Sequence, residues 1–179
     1  EPIEDILKRF GSGSMSHGAL SKEAHDKIKT VMCNYDKFDH VEFPWYLSRN
    51  VASTESNNAK EFYMYHPFYW DHAPASQWFN ELLLPLMQEL QPRSLMRVKG
   101  NLYPGTETIL EHEPHVDDTF SHRGALYFVN TNDGYTTLND GTKVNSVENS
   151  VLLFDPSEPH FSSTCTNDKF RITININYF

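Results

Sequence analysis

"ALYFVNTNDGYTTLNDGTKVNSVENSVLLF" (residues 125–154) decides the fold. Its runs "ALYFVNT", "YTTLNDGTKV" and "SVLLF" are apolar or β-branched and separated by turn residues, the pattern of short strands. "NDG" at 139–141 is a hairpin signal, because Asp-Gly supplies the positive φ angles of a tight turn. "LMRVKGNLY" (95–103) and "RITININYF" (171–179) read as further strands on either side. Everything after Arg93 therefore reads as mostly antiparallel sheet. Many short strands preceded by helices predict a mostly β protein with flanking helices (α+β), a double-sheet roll buttressed on one side.

Upstream, "SKEAHDKIKTVMCNY" (21–35) predicts a helix with Ser21 as its cap and Leu20, Ala24, Ile28, Val31 and Met32 near one face. "ASQWFNELLLPLMQEL" (75–90) predicts a second, kinked or restarted at Pro85. "VEFPWYLSRNV" (41–51) is aromatic and interrupted by Pro44, which suits an edge strand. In "EFYMYHPFYW" (61–70), Tyr63, Tyr65, Phe68 and Trp70 are expected in the core rather than on an exposed platform.

The chain opens differently. "GSGS" (11–14) reads as a flexible linker and Met15 as a natural start, which divides the chain into a fused peptide (1–10), the linker (11–14) and one domain (15–179). The peptide "EPIEDILKRF" carries Pro2 near a helix start, early acids and Ile3, Ile6, Leu7 and Phe10 at helical spacing. With its basic Lys8 and Arg9, it resembles the N-terminal region of the twenty-first small-subunit ribosomal protein of bacteria, which implies a tethered substrate or ligand peptide.

A chain of 179 residues, 39% hydrophobic, buries one core but not comfortably two. Its net charge of -9, with no basic stripe, disfavours nucleic acid and suits a basic peptide or a small molecule. Cys33 and Cys165 make neither a disulfide framework nor a thiolate metal cluster. With no stretch of membrane-spanning length and no leader, the expected location is the cytoplasm.

The chemistry concentrates in "EHEPHVDDTF" (111–120). His115 and Asp117, two apart, share a face of an extended segment, and His160 in "FDPSEPHFSS" is the candidate third ligand. Two imidazoles and one carboxylate suit non-haem iron(II), and also zinc. Arg171, heading the last strand, separates the two: a guanidinium can take a carboxylate bidentately, as an iron oxygenase using 2-oxoglutarate requires and a zinc hydrolase does not. His112 and Glu113 are expected to be solvated, and His66, His72 and His122 structural or at the surface, with His122 and Arg123 able to line the mouth.

H-x-D, a gap of some forty residues, H, and a basic residue about ten further on resemble the 2-oxoglutarate and iron(II)-dependent dioxygenase superfamily. "NLYPG…HVD…ALYFVNTNDGYT…PH…RITININYF" is similar to its prolyl-hydroxylase branch, and especially to small members found in marine bacteriophages. The resemblance covers residues 96–179 well. It implies a double-stranded β-helix (jelly-roll, cupin-like) core, and iron(II), 2-oxoglutarate and O2 as cofactor and co-substrates. His115, Asp117 and His160 match the iron ligands, Arg171 and Tyr103 the residues that bind the distal carboxylate, and Thr173 an assisting position. Where relatives carry a second tyrosine beside the co-substrate, this chain has Phe128, with Tyr127 on the opposite face. Asn175 and Asn177 replace larger or apolar residues and are expected to reshape the pocket. The carboxylate of Asp117 implies hydroxylation rather than halogenation.

The implied function is a peptidyl hydroxylase, prolyl first, acting on a ribosomal protein tail in the cytoplasm, that of the host cell for a phage protein. Pro2 is the leading target and Lys8 and Arg9 stay open. The alternatives are an oxygenase of a free amino acid, a small metabolite or alkylated nucleic acid, and a non-catalytic β-roll that only holds the peptide.

Overall fold

The computed structural model describes residues 13–33, 43–51 and 62–179. The amphipathic helix expected over residues 1–10 lies outside them, as do Gly11 and Ser12 of the linker stretch.

Alternation along the strands organises the molecule. A large sheet runs β1 (Ser14–His17), β9 (Ser150–Phe154), β6 (Arg123–Phe128), β11 (Phe170–Tyr178), β5 (Leu95–Pro104), β3 (Tyr63–Trp70) and β2 (Tyr46–Ser48), with β4 (Ala73–Pro74) pairing on β3. A small sheet of β10 (Phe161–Ser162), β7 (Tyr135–Thr137) and β8 (Lys143–Asn145) is the second wall of the roll. All pairings are antiparallel. This is the expected mostly β jelly roll with flanking helices. β2 occupies the sheet edge, as Pro44 requires of its neighbourhood.

Among the described residues, three helices pack on the outer face of the large sheet: α1 (Lys22–Cys33), α2 (Trp78–Leu82) and α3 (Leu84–Leu90). Ser21 begins α1, its hydroxyl accepting from Ala24 N at 3.3 Å and its carbonyl from His25 N at 3.0 Å. The stretch 75–90 restarts rather than kinks, because Pro85 sits in the first turn of α3, where its missing N–H has no helical partner to lose.

Ile28, Met32, Leu86 and Leu90 of the helices meet Val98, Tyr127, Val151, Leu153, Ile172, Ile174 and Ile176 of the sheet in one core. Residues one step along the same strands, Leu126, Phe128, Leu152 and Phe154, join Val144 in a second cluster inside the roll. The predicted hairpin joins β7 to β8, with Leu138 N bonded to Thr142 O at 3.0 Å and Gly141 at φ 82°. No helix among the described residues is long and apolar enough to cross a membrane.

The aromatic run divides. Tyr63 and Phe68 are buried and Tyr65 is partly so, whereas Trp70, expected in the core, is 49% exposed because β3 reaches its end there.

Candidate active site

One inward face of the β5–β11 pair carries most of the site. Register places Arg171 opposite Tyr103, Thr173 opposite Asn101, Asn175 opposite Lys99 and Asn177 opposite Arg97. The period of two turns all eight side chains away from the helices.

His115, Asp117 and His160 come together at the mouth of the roll. A bridge between His115 and His160, two backbone bonds of 3.0 Å, fixes the two histidines, and Asp117 N is tied to Pro156 O at 2.8 Å. His160 lies between β9 and β10, its ring edge-on to Phe154 at 4.9 Å. Their ligand atoms all lie within 4.8 Å of one another: Asp117 Oδ1 is 3.7 Å from His115 Nε2 and 4.0 Å from His160 Nε2.

The other atoms of these groups are occupied. His115 Nδ1 faces Glu113 O at 3.4 Å and His160 Nδ1 faces Glu158 O at 3.0 Å. A proton on each Nδ1 leaves the Nε2 lone pair for a metal, the usual role of such outer partners. Asp117 Oδ2 accepts from Asn175 Nδ2 at 3.1 Å, Asn177 Nδ2 at 3.0 Å and Arg97 at 3.1 Å. Oδ1 is thereby the oxygen turned to the histidines. Burial alone would raise the Asp117 pKa, but Arg97, His160 and the two amides outweigh it and hold it at about 2. His115 is held below its ordinary value by burial and by His160, so its ring favours the neutral, ligating form. The donor set fits a divalent ion of the first transition row.

Arg171 is fully buried deeper in the roll. Its guanidinium donates to Ser146 Oγ at 2.7 Å, Thr136 Oγ1 at 2.8 Å and Ser163 O at 3.4 Å, all uncharged acceptors. Two of its five N–H groups remain, and no carboxylate among the described residues pairs with it. Burial pulls its pKa down to about 10. It lies 5.6 Å from the Tyr103 ring and 5.9 Å from that of Phe128. Burial raises the Tyr103 phenol to about 12, although its bond to Ser162 opposes this, so it stays a neutral donor. Thr173 is buried two residues along. Phe128 does face the roll, while Tyr127 points to the helices and bonds His25 Nδ1 at 2.7 Å.

Two expectations change. His112 is buried, not solvated: Nδ1 bonds Ser162 Oγ at 2.8 Å and its ring lies 5.1 Å from Tyr103. Burial, with Arg171 and His115 nearby, pushes its pKa down to about 4, so it is neutral. Arg97 and Lys99 were read only as strand residues; their even spacing of six and four from Tyr103 was the signal that they share its face. Glu113 is exposed and His66 is a buried structural group bonded to Pro44 O and Ser76 Oγ, as expected.

This is the double-stranded β-helix fold found in iron(II) and 2-oxoglutarate oxygenases. Similar solved structures include a 2OG-Fe(II) oxygenase family oxidoreductase from Burkholderia pseudomallei (TM-score 0.65, 11% identity, 99% of this chain and 91% of that one). A prolyl hydroxylase from Trichoplax adhaerens, in complex with a hypoxia inducible factor oxygen degradation domain peptide fragment, aligns at TM-score 0.62 and 13% identity over 97% and 86%. A Pseudomonas putida prolyl-4-hydroxylase aligns at 0.59 and 15% over 97% and 95%. No protein-family model and no curated protein matches the chain.

Proposed function

We propose that the chain is an iron(II) and 2-oxoglutarate-dependent hydroxylase of a peptide, with proline as the target residue. The observation that carries this reading is the pairing of a three-atom ligand set at the mouth of the roll with a buried guanidinium that has no carboxylate partner among the described residues. His115, Asp117 and His160 would hold the iron and leave positions open. With the iron, 2-oxoglutarate and O2 supply the oxidation, in which one oxygen atom enters a substrate C–H bond and the other enters succinate as carbon dioxide leaves.

The chain's own work is placement. Arg171 and Tyr103 receive the distal carboxylate of the co-substrate, with Thr173 beside them. Arg97, Asn175 and Asn177 hold Asp117 so that one oxygen faces the metal. Phe128 and Phe154 wall the interior against water. The peptide-bound hydroxylase among the similar structures supports a peptide substrate. Residues 1–10 are the nearest candidate, with Pro2 the target and a ribosomal protein tail the natural counterpart. A short linker favours delivery to a neighbouring molecule.

Tandem mass spectrometry after incubation with iron(II), 2-oxoglutarate and O2, against His115→Ala, tests this. One oxygen added within residues 1–10, absent from the control, is the expected result. Succinate formed with that peptide unmodified would remove residues 1–10 as substrate, and no succinate at all would remove the oxygenase reading.

A further inference from the structure

The hydroxylase reading gives Arg97 a partner and leaves Lys99 without a role. Lys99 lies on the inward face of β5, opposite Asn175. It lines two adjoining clefts. One, about 430 Å³, also includes Arg97, His115 and Asp117; the other, about 510 Å³, continues to Tyr65 and the exposed Trp70. Tyr63 and Ser48 belong to both, so Lys99 stands where a chain leaving the metal ligands would pass.

Its contacts are incomplete for a cation. Nζ donates to Tyr63 Oη at 3.1 Å and sits 5.2 Å over that ring, and no carboxylate among the described residues pairs with it. Asp117, the nearby acid, is engaged by Arg97. Burial, with Arg97 adding to it, pulls the Lys99 pKa down to about 8. An ammonium with one neutral acceptor keeps donors free and gains from a buried counter-charge. The side chains lining the smaller cleft include two cations and one carboxylate, a net positive surface in a chain of charge -9.

Resting on that reading, we propose that Lys99 binds a carboxylate of the substrate itself, an acidic side chain flanking the target proline. The chain's own N-terminal sequence has this composition, with Glu1, Glu4 and Asp5 around Pro2. The bond would set register, holding the target beside His115 and Asp117 while the following residues run toward Trp70. A carboxylate could also come from 2-oxoglutarate, and the test separates the two sources.

The full chain is titrated with the peptide EPIEDILKRF and with its Glu1→Gln, Glu4→Gln, Asp5→Asn counterpart, following tryptophan fluorescence. The tethered segment competes equally with both, so the ratio of affinities is unaffected. The acidic peptide is expected to bind about tenfold more tightly, the preference to vanish in Lys99→Met and to return in Lys99→Arg. Equal affinities, no saturable binding, or a preference that survives in Lys99→Met would overturn the proposal. So would a rise in the Kd for 2-oxoglutarate in Lys99→Met, which would give Lys99 to the co-substrate. Succinate formation by the unaltered chain is read separately, so failure of the oxygenase reading is distinguishable from failure of this one.

Discussion

The two faces of β11 are equally buried and chemically opposite. Toward the helices it presents Ile172, Ile174 and Ile176, and toward the roll Arg171, Thr173, Asn175 and Asn177. The first face is what packing alone would select, since burying apolar area is the main favourable term in folding. On the second, a buried guanidinium lacks a counter-ion among the described residues, and the Oδ1 atoms of Asn175 and Asn177 have no hydrogen-bond partner among them. Such groups cost stability, which marks the roll interior as a place built to receive something. One strand thus serves stability on one side and binding on the other.

Substitutions can break this comparison. The largest effect is expected from Asp117→Ala, which removes a ligand and frees Arg97, Asn175 and Asn177 from their common acceptor. Loss of outer partners alone costs about 10–100-fold in metal affinity or activity, so loss of the ligand should exceed that. Calorimetric iron(II) titration and succinate formation would check it.

Ile174→Ala tests the opposite face and should cost about 2–5 kcal/mol in urea unfolding, through a cavity that the flanking strands cannot close. Metal affinity of the folded fraction should hardly move.

Arg171→Met sharpens the contrast. Removing a buried cation that has no counter-ion among the described residues relieves its desolvation but leaves Ser146, Thr136 and Ser163 without their donor, so folding stability should fall by no more than about 1–3 kcal/mol. The Kd for 2-oxoglutarate should rise by at least about 30-fold, because one partner of a buried charge pair is lost. Parallel unfolding and co-substrate titrations separate the two outcomes.

The smallest effect concerns acid. His112 is neutral when folded, with its pKa lowered to about 4 from an ordinary 6.5. The unfolded chain therefore takes up its proton first as pH falls. The stability His112 contributes is complete above pH 6.5 and is lost between 6.5 and 4, at up to about 1.4 kcal/mol per pH unit. His112→Gln should flatten that limb of the stability curve by one proton.

The candidate site was legible where chemistry is written in residue type and order. His115, Asp117, His160, Arg171 and Tyr103 were singled out by type and order; the structure gathers the first three within 4.8 Å of one another and sets Arg171 opposite Tyr103. Arg97 and Lys99 were not legible, because a basic residue in a strand is ordinarily a solvated one. Only the pairing of β5 between β3 and β11 shows that these two face a cleft. His112 misled for the same reason: surrounded in sequence by Glu111 and Glu113 it reads as surface, yet the chain turns it under Tyr103.

Fold class was also within reach of the sequence, since period-two runs separated by turn residues and preceded by two amphipathic helices admit few architectures. Local periodicity and turn chemistry act over a handful of residues, so the sequence by itself determined the longer strands, the interruption at Pro85 and the hairpin at 139–141, while the structure decided that the interruption is a restart. The tertiary structure alone decided which oxygen of Asp117 faces the histidines, which cations line the cleft and which tryptophan stays exposed. Those depend on register between strands far apart in the chain, such as Arg97 against Asn177, 80 residues on, and no local rule carries that information.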